Sequence, residues 1–249
     1  AIDDFFNAFQ ELSASPDDPA AKEVLFQEAD ILTTRFNIVD KRVEQVRSDL
    51  QEKVADEISK VDGLLDKISE LNAEIFKLEY KKKGLAVDMR DERQKAIEEL
   101  AELISVEMAP LNDSVIGVSA KNDGGENVIL IGLDGKVGAL VDETGQLAFD
   151  PVSGSIAGLL DSETAIDKLK NDNLDPLAAQ LVKSVNAAYN DGTTGDFFDA
   201  ALVTAGGLKI DEALTAEGIR STHTDFSGAN DVALNISELS DKTFFKTND

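Results

Sequence analysis

The sequence predicts a mainly α protein with a small inserted antiparallel β subdomain (α+β), built on a long helical rod of the bundle or coiled-coil type. Three observations carry this prediction. Between Phe36 and Leu78, apolar residues recur at Phe36, Val39, Val43, Val46, Leu50, Val54, Ile58, Val61, Leu64, Ile68, Leu71, Ile75 and Leu78. Their average step is about 3.5 residues, the heptad spacing that keeps one seam against neighbouring helices. From residue 105 to about 153 the pattern changes to short alternating runs separated by glycine-containing turns. From Ser155 helical spacing returns. The expected organisation is a discontinuous helical rod, 1–104 and 154–249, interrupted by a sheet at 105–153.

Taken in order, Asp3 or Asp4 is expected to cap a first helix with the face Phe5, Phe6, Phe9 and Leu12, ending at Ser13-Ala14-Ser15 before Pro16. Pro19 has the fixed φ of a first helical residue and Asp18 can cap it, so a second helix starts there and runs into the seam. Its flanks carry Arg42, Glu44, Arg47, Asp49, Glu52, Lys53, Asp56, Glu57 and Lys60, so only one stripe is expected to be covered. Lys81-Lys82-Lys83-Gly84 reads as its stop, cations on the last carbonyls followed by a C-cap glycine. A third helix, 88–104, presents Ile97, Leu100, Leu103 and Ile104, and the short connection favours an antiparallel pair with the second.

Four strands are expected at 115–119, 127–133, 136–141 and 146–149, separated by Asp123-Gly124-Gly125, Asp134-Gly135 and Glu143-Thr144-Gly145. Asp134-Gly135 is the strongest hairpin signal among them, as a turn with both residues at positive φ. Helix is then expected at 155–160 and again over 161–189, with Leu169, Leu174, Leu177, Leu181, Val185 and Ala188 on one face, closed by the loop 190–195. Phe197 and Phe198 read as core anchors, 202–210 as a strand or two, and 231–239 as a last short helix before a loosely held tail at 241–249.

Composition limits the function. The net charge of −25, from 49 acidic and 24 basic residues, argues against a nucleic-acid partner. The one basic run, Lys81-Lys82-Lys83, is too short to mark such a site. No Cys is present, which removes thiol catalysis and thiolate metal sites and is compatible with export without disulfides. No apolar run is long enough for a transmembrane helix, so no membrane partner is expected. The sequence starts at Ala1 without an initiator Met or signal peptide, from which an excised or processed form is expected.

Candidate chemistry is sparse. Acidic pairs at helical spacing, such as Glu98 and Glu102, are what so acidic a chain produces by chance. His223 sits in the polar run Ser221-Thr222-His223-Thr224 and reads as a surface residue. The loop from Asn190 to Asp196 lacks the alternating ligands and closing Glu of a calcium loop. The expectation is a non-enzyme with no catalytic residue, cofactor or metal site. Its assigned residues are structural: Phe5, Phe6, Phe9, Ile58, Val61, Leu64, Ile68, Leu71, Ile75, Asp88, Arg90, Asp91, Phe197 and Phe198.

Several stretches occur in an order that resembles one family. They are Asp3-Asp4-Phe5-Phe6-Asn7-Ala8-Phe9-Gln10-Glu11-Leu12 with Pro16 and Pro19-Ala20-Ala21, then Ile68-Ser69-Glu70-Leu71-Asn72-Ala73-Glu74-Ile75. Asp88-Met89-Arg90-Asp91 and Gly154-Ser155-Ile156-Ala157-Gly158-Leu159-Leu160 follow. Leu174-Asp175, Leu177-Ala178, Val185-Asn186, Gly195-Asp196-Phe197-Phe198 and Gly228-Ala229-Asn230-Asp231-Val232-Ala233-Leu234 complete the order. Each motif is short, but as an ordered set over almost the whole chain they resemble the bacterial flagellar hook-associated protein 1 family, which forms the junction between hook and filament. The resemblance implies a secreted, extracellular structural component of the flagellum, exported by the flagellar type III route and required for filament assembly.

The implied partners are neighbouring copies of itself, the hook protein and the second junction protein, with an export chaperone at a terminal segment. Three departures qualify the likeness. The sheet segment is short, Asp161-Ser162-Glu163 stands where an Arg-Asp is common, and Tyr189 where a His is common. The terminal coiled segments are also absent, so this core fragment is expected to be monomeric. Alternatives left open by the residues are another axial protein, flagellin or the second junction protein, and an acidic surface binding module using the sheet as a platform.

Overall fold

The computed structural model describes residues 1–122, 124–137, 140–141, 147–190, 192, 195–224 and 226–241. The expected turn at 143–145, the start of the expected strand at Gln146, part of the 190–195 loop and the tail beyond 241 lie outside them. The elements are helices α1 (Ile2–Ala14), α2 (Pro19–Glu79) and α3 (Val87–Leu103), strands β1 (Val106–Pro110), β2 (Ile116–Lys121), β3 (Asn127–Gly132) and β4 (Gly135–Lys136), then helices α4 (Ser155–Lys168), α5 (Asp175–Tyr189) and α6 (Asp231–Ser237). A π-helical segment, Leu169–Leu174, joins α4 to α5, and a 3₁₀ turn, Glu238–Asp241, follows α6. The architecture is mainly α with one small sheet, the class that the hydrophobic periods predict.

By contacts the chain divides into two compact units, Ala1–Val46 with Ile166–Asp249, and Arg47–Ala165. Helix α2 contributes to both. The sequence boundaries at 105 and 153 fall inside the second unit, because the sheet shares one apolar core with residues 58–68 of α2, with α3 and with Ile156.

In the first unit, Phe5, Phe6 and Phe9 of α1 pack with Phe197 and Phe198, with ring centroids 5.0–5.7 Å apart and mostly edge-to-face. Such pairs add about 0.5–1.5 kcal/mol each beyond burial. Around them lie Leu12, Leu25, Ala29, Leu32 and Phe36, the α5 residues Leu181, Val182 and Val185, and Val232 and Ile236 of α6. At the entry to α2, Asp18 Oδ1 accepts from Ala20 N at 2.9 Å, the cap expected beside Pro19. Neither Asp3 nor Asp4 caps α1. Both lie in its first turn, and Ala1 is its N-cap residue without a side-chain bond.

One expectation in this unit fails and another holds in part. Residues 202–210 form turns rather than strands, with only an isolated bridge between Phe198 and Ile210. Gly206 and Gly207 in this stretch make alternation weak evidence. The face read for 161–189 holds at Leu181 and Val185, which are buried, and at Leu174, Leu177 and Ala188, which pack against the same core, and fails at Leu169. Leu169 is exposed, while the buried set is Ala178, Leu181, Val182, Val185, Asn186 and Tyr189. The step from Leu169 to Leu174 crosses the π segment, whose wider turn changes the phase of the face.

In the second unit the sheet is an antiparallel meander in the order β1-β2-β3-β4, with a register shift between Val118 and Ser119. Strand β1 escapes sequence reading because it is an edge strand, largely exposed and ending at Pro110, so no apolar alternation marks it. The hairpin between β3 and β4 forms one residue earlier than expected. Gly132 pairs with Gly135, so Leu133 and Asp134 make the turn. Only Gly135 takes positive φ, at +107°, which excludes the expected doubly positive turn and fits a type I turn followed by a glycine. The expected strand 136–141 survives in the described residues as Lys136 and a bridge between Val141 and Leu147.

Gly154 explains the opening of its motif physically. Its φ is +104°, and a Cβ there would lie 2.4 Å from the carbonyl oxygen of Leu103. Only glycine lets the start of α4 pass this close to the end of α3.

Candidate functional site

The buried track of α2 in the second unit runs Ile58, Val61, Leu65, Ile68, Asn72, Ile75, Glu79, alternating steps of three and four. This is a strict heptad track with two polar positions, Asn72 and Glu79. Sequence reading, which admitted only apolar residues, followed Leu64, Leu71 and Leu78 instead. Leu64 is half-buried, Leu71 is buried beside Asn72, and Leu78 is exposed. Val39 and Val46 are exposed as well.

Opposite the two polar positions, α3 runs antiparallel to α2 and presents Arg90 and Arg93, one turn apart. Arg93 is buried, and its Nη1 donates to Asn72 Oδ1 at 2.7 Å and to the Ser114 carbonyl at 2.6 Å. Asn72 in turn pairs with the backbone of Ile116, Nδ2 donating to its carbonyl at 2.8 Å and Oδ1 accepting from its N–H at 3.1 Å. One asparagine thus fastens the start of β2 to α2. The Asn112 Oδ1 accepts from Ser114 N and Val115 N, both at 2.8 Å, and shapes the β1–β2 turn that these bonds hold.

Arg90 pairs with the Glu79 carboxylate and donates from Nη2 to the Asp113 carbonyl at 2.9 Å. Glu79 Oε1 also accepts from Gly84 N at 3.1 Å and Ala86 N at 3.2 Å, fixing the connection into α3. Helix α2 therefore ends at Glu79, where the side chain turns to the following loop, rather than at the expected Lys81–Gly84 stop. Gly84, at φ +83°, belongs to that loop.

The Arg90 guanidinium, helped by the Ala86 and Gly84 N–H groups, holds the Glu79 carboxyl down to about 2 against the opposing effect of burial. Burial first, then repulsion from Arg90, lowers Arg93 from its ordinary value, and its Nε has no partner among the described residues. A guanidinium nevertheless stays charged at any physiological pH. Exposed Asp113 is lowered by its bond to Lys83.

Of the Asp-Met-Arg-Asp run, Arg90 alone enters this clamp. Asp88 and Asp91 are exposed, and the N-cap position of α3 is Ala86. The clamp's donors and acceptors are committed to one another and to the backbone. It joins two helices and a sheet turn and presents neither an activated nucleophile nor a poised base.

The first unit holds a second, smaller clamp. Buried Asn186 accepts on Oδ1 from Phe197 N at 3.1 Å and Phe198 N at 2.9 Å, and donates to the Phe198 carbonyl at 2.8 Å. It anchors the two phenylalanines that sequence reading assigned to the core. Tyr189, one turn later, stacks edge-on to Phe197, and its hydroxyl accepts from Arg220 N at 3.2 Å. His223 is not simply a surface residue. Its Nδ1 lies 3.3 Å from the Asp231 carboxylate and its Nε2 3.3 Å from the Tyr189 carbonyl.

Comparison with known proteins places the chain in one family. Residues 1–198 match the family described as the flagellar hook-associated protein FlgK helical domain. The chain is similar to flagellar hook-associated protein 1 of Bacillus subtilis, 23% identical over 283 residues, covering 93% of this chain and 55% of that protein. It is also similar to the proteins of that name from Salmonella typhimurium and Escherichia coli, 23% and 21% identical, each covering 49% of this chain and 22% of theirs. The solved flagellar hook junction protein FlgK from Burkholderia pseudomallei shares the fold, with a TM-score of 0.63 and 19% identity over 80% of this chain and 40% of that one. The chain spans about half the length of the Bacillus relative and less of the others. With 198 of its 249 residues matching the family's helical domain in this fold, the chain belongs to the FlgK family of flagellar hook-associated proteins.

Proposed function

We propose that this chain is part of a structural subunit of the flagellar hook–filament junction, an adapter between two helical lattices that filament growth requires. The observation that supports this most is the family match across residues 1–198. The two clamps fit such a role, because their bonds tie helices and turns into rigid units, as a load-bearing subunit requires. In this reading the helical segments 1–104 and 154–249 serve axial packing and the 105–153 segment is a reduced outer part. The partners are neighbouring copies, the hook protein and the second junction protein. The subunit acts outside the cell after export by the flagellar type III route, with a chaperone at a terminal segment.

The test is deletion of the gene that encodes this chain. Expected are cells with basal bodies and hooks but no filaments, and filament subunits recovered from the medium. Complementation with that gene restores swimming. Normal filaments on the deletion strain refute the junction role and favour the surface-module reading.

A further inference from the structure

One surface feature is not used by either clamp. At the end of α2, Phe76, Leu78 and Tyr80 are exposed, Tyr80 by 75%, and the rings of Phe76 and Tyr80 meet edge-on with centroids 6.1 Å apart. Between and beyond them stand the exposed cations Lys77, Lys81 and Lys82, which have no ion-pair partner among the described residues. The one acid between Phe76 and Lys83, Glu79, is buried and paired with Arg90, so the exposed charges within this stretch are cations. Lys81-Lys82-Lys83 is also the only run of three cations in the sequence.

We propose that this aromatic and basic patch is a contact between subunits, and that its occupant is an acidic surface of a second copy of the chain. This rests on the reading of the protein as a subunit that packs against its own copies. The argument for the occupant is charge. Two copies at net charge −25 repel each other, so contact requires a place where the sign inverts. The patch provides it. Residues 96–249 hold 27 carboxylates against nine cations and offer abundant complementary surface. Exposed aromatics beside the cations supply apolar anchors of the kind that dominate interface energies. One such contact is weak, with a Kd of hundreds of micromolar or more expected for so small an area, and it gains strength only when many copies are held in register.

The experiment mixes ¹⁴N- and ¹⁵N-labelled chain at about 1 mM in low salt, a concentration chosen for a contact this weak, and applies a zero-length carbodiimide. Mass spectrometry then reads lysine–carboxylate links between isotopically different copies. Links from Lys77, Lys81 or Lys82 are expected. They should fall at least about tenfold at 0.3 M salt, through screening, and in the Lys77→Glu/Lys81→Glu/Lys82→Glu variant, through lost complementarity. The Phe76→Ser/Tyr80→Ser variant, which leaves the charge intact, should weaken concentration-dependent sedimentation. Circular dichroism establishes that each variant is folded.

Absence of such links, or association by either variant equal to that of the unmutated chain, overturns the proposal. So does a chain that stays monomeric while purified hook or second junction protein shields Lys81 and Lys82 from acetylation. None of these results touches the deletion phenotype, so the contact and the junction role fail separately.

Discussion

Asn72 and Asn186 do the same work in different units. Each is a buried helical asparagine whose amide pairs with backbone N–H and C=O groups of a segment that is not helical, Ile116 in one case and Phe197–Phe198 in the other. Such groups are costly to bury unpaired, so removing the amide costs more than its own bonds contribute. Asn186→Leu is expected to destabilise by about 2–4 kcal/mol. Asn7→Ala, on the exposed face of α1, should change stability by less than about 0.5 kcal/mol. Urea melts compare them, and equal losses would remove the anchoring role of Asn186.

Glu79 makes the clamp of the second unit sensitive to pH. Its folded value of about 2 lies below the ordinary 4.5 because Arg90 and two backbone N–H groups favour the carboxylate. A depressed acid contributes stability that is fully present above the ordinary value and is lost as pH falls through the folded value. Wild type should therefore weaken between about pH 4.5 and 2. Glu79→Gln should be less stable at pH 7, and its deficit should narrow as pH falls through that window. Denaturant midpoints at pH 7 and pH 3 check this. A deficit that stays constant would mean that the carboxylate charge is not what Arg90 requires.

At the level of elements, α2 shows why a period is easier to read than a phase. Leu64, Leu71 and Leu78 and the neighbouring Leu65, Asn72 and Glu79 are two parallel heptad tracks one residue apart. Hydrophobicity selects the first, and packing selects the second from Leu65 onward. Leu65→Ala is thus expected to cost about 2–5 kcal/mol as a fully buried leucine. Leu78→Ala, exposed, should stay within about 0.5 kcal/mol. Thermal melts giving equal losses would refute the phase described above. The π segment after α4 and the edge strand β1 teach the same lesson, since each departs from the regular period by which elements are recognised.

For the whole molecule the dominant quantity is charge. At −25 the folded chain repels itself, and the two units share the carboxylates almost equally, 24 in the first and 25 in the second. Screening should relieve this repulsion more than it weakens the mostly exposed ion pairs, such as Lys67–Glu92 and Lys121–Glu107. The melting temperature is therefore expected to rise between about 20 and 200 mM NaCl, a range over which the screening length shrinks severalfold. Calorimetry showing a fall would indicate that ion pairs outweigh repulsion.

The sequence by itself determined the fold class, the starts of α2 and α3 to within a residue, and the aromatic core of Phe5, Phe6, Phe9, Phe197 and Phe198. It also carried the family, through an ordered set of short motifs. These are properties of local pattern: hydrophobic period, proline and cap positions, and paired aromatics. The tertiary structure alone decided which of two adjacent heptad tracks is buried, that Asn72, Glu79, Arg90 and Arg93 form one clamp, and that Asn186 anchors Phe197 and Phe198. A buried polar residue leaves no hydrophobic signal, and its partner can be remote, as Ile116 lies 44 positions from Asn72 along the chain. Only the packing that brings a backbone N–H or carbonyl to each side chain distinguishes an interior asparagine from one in water.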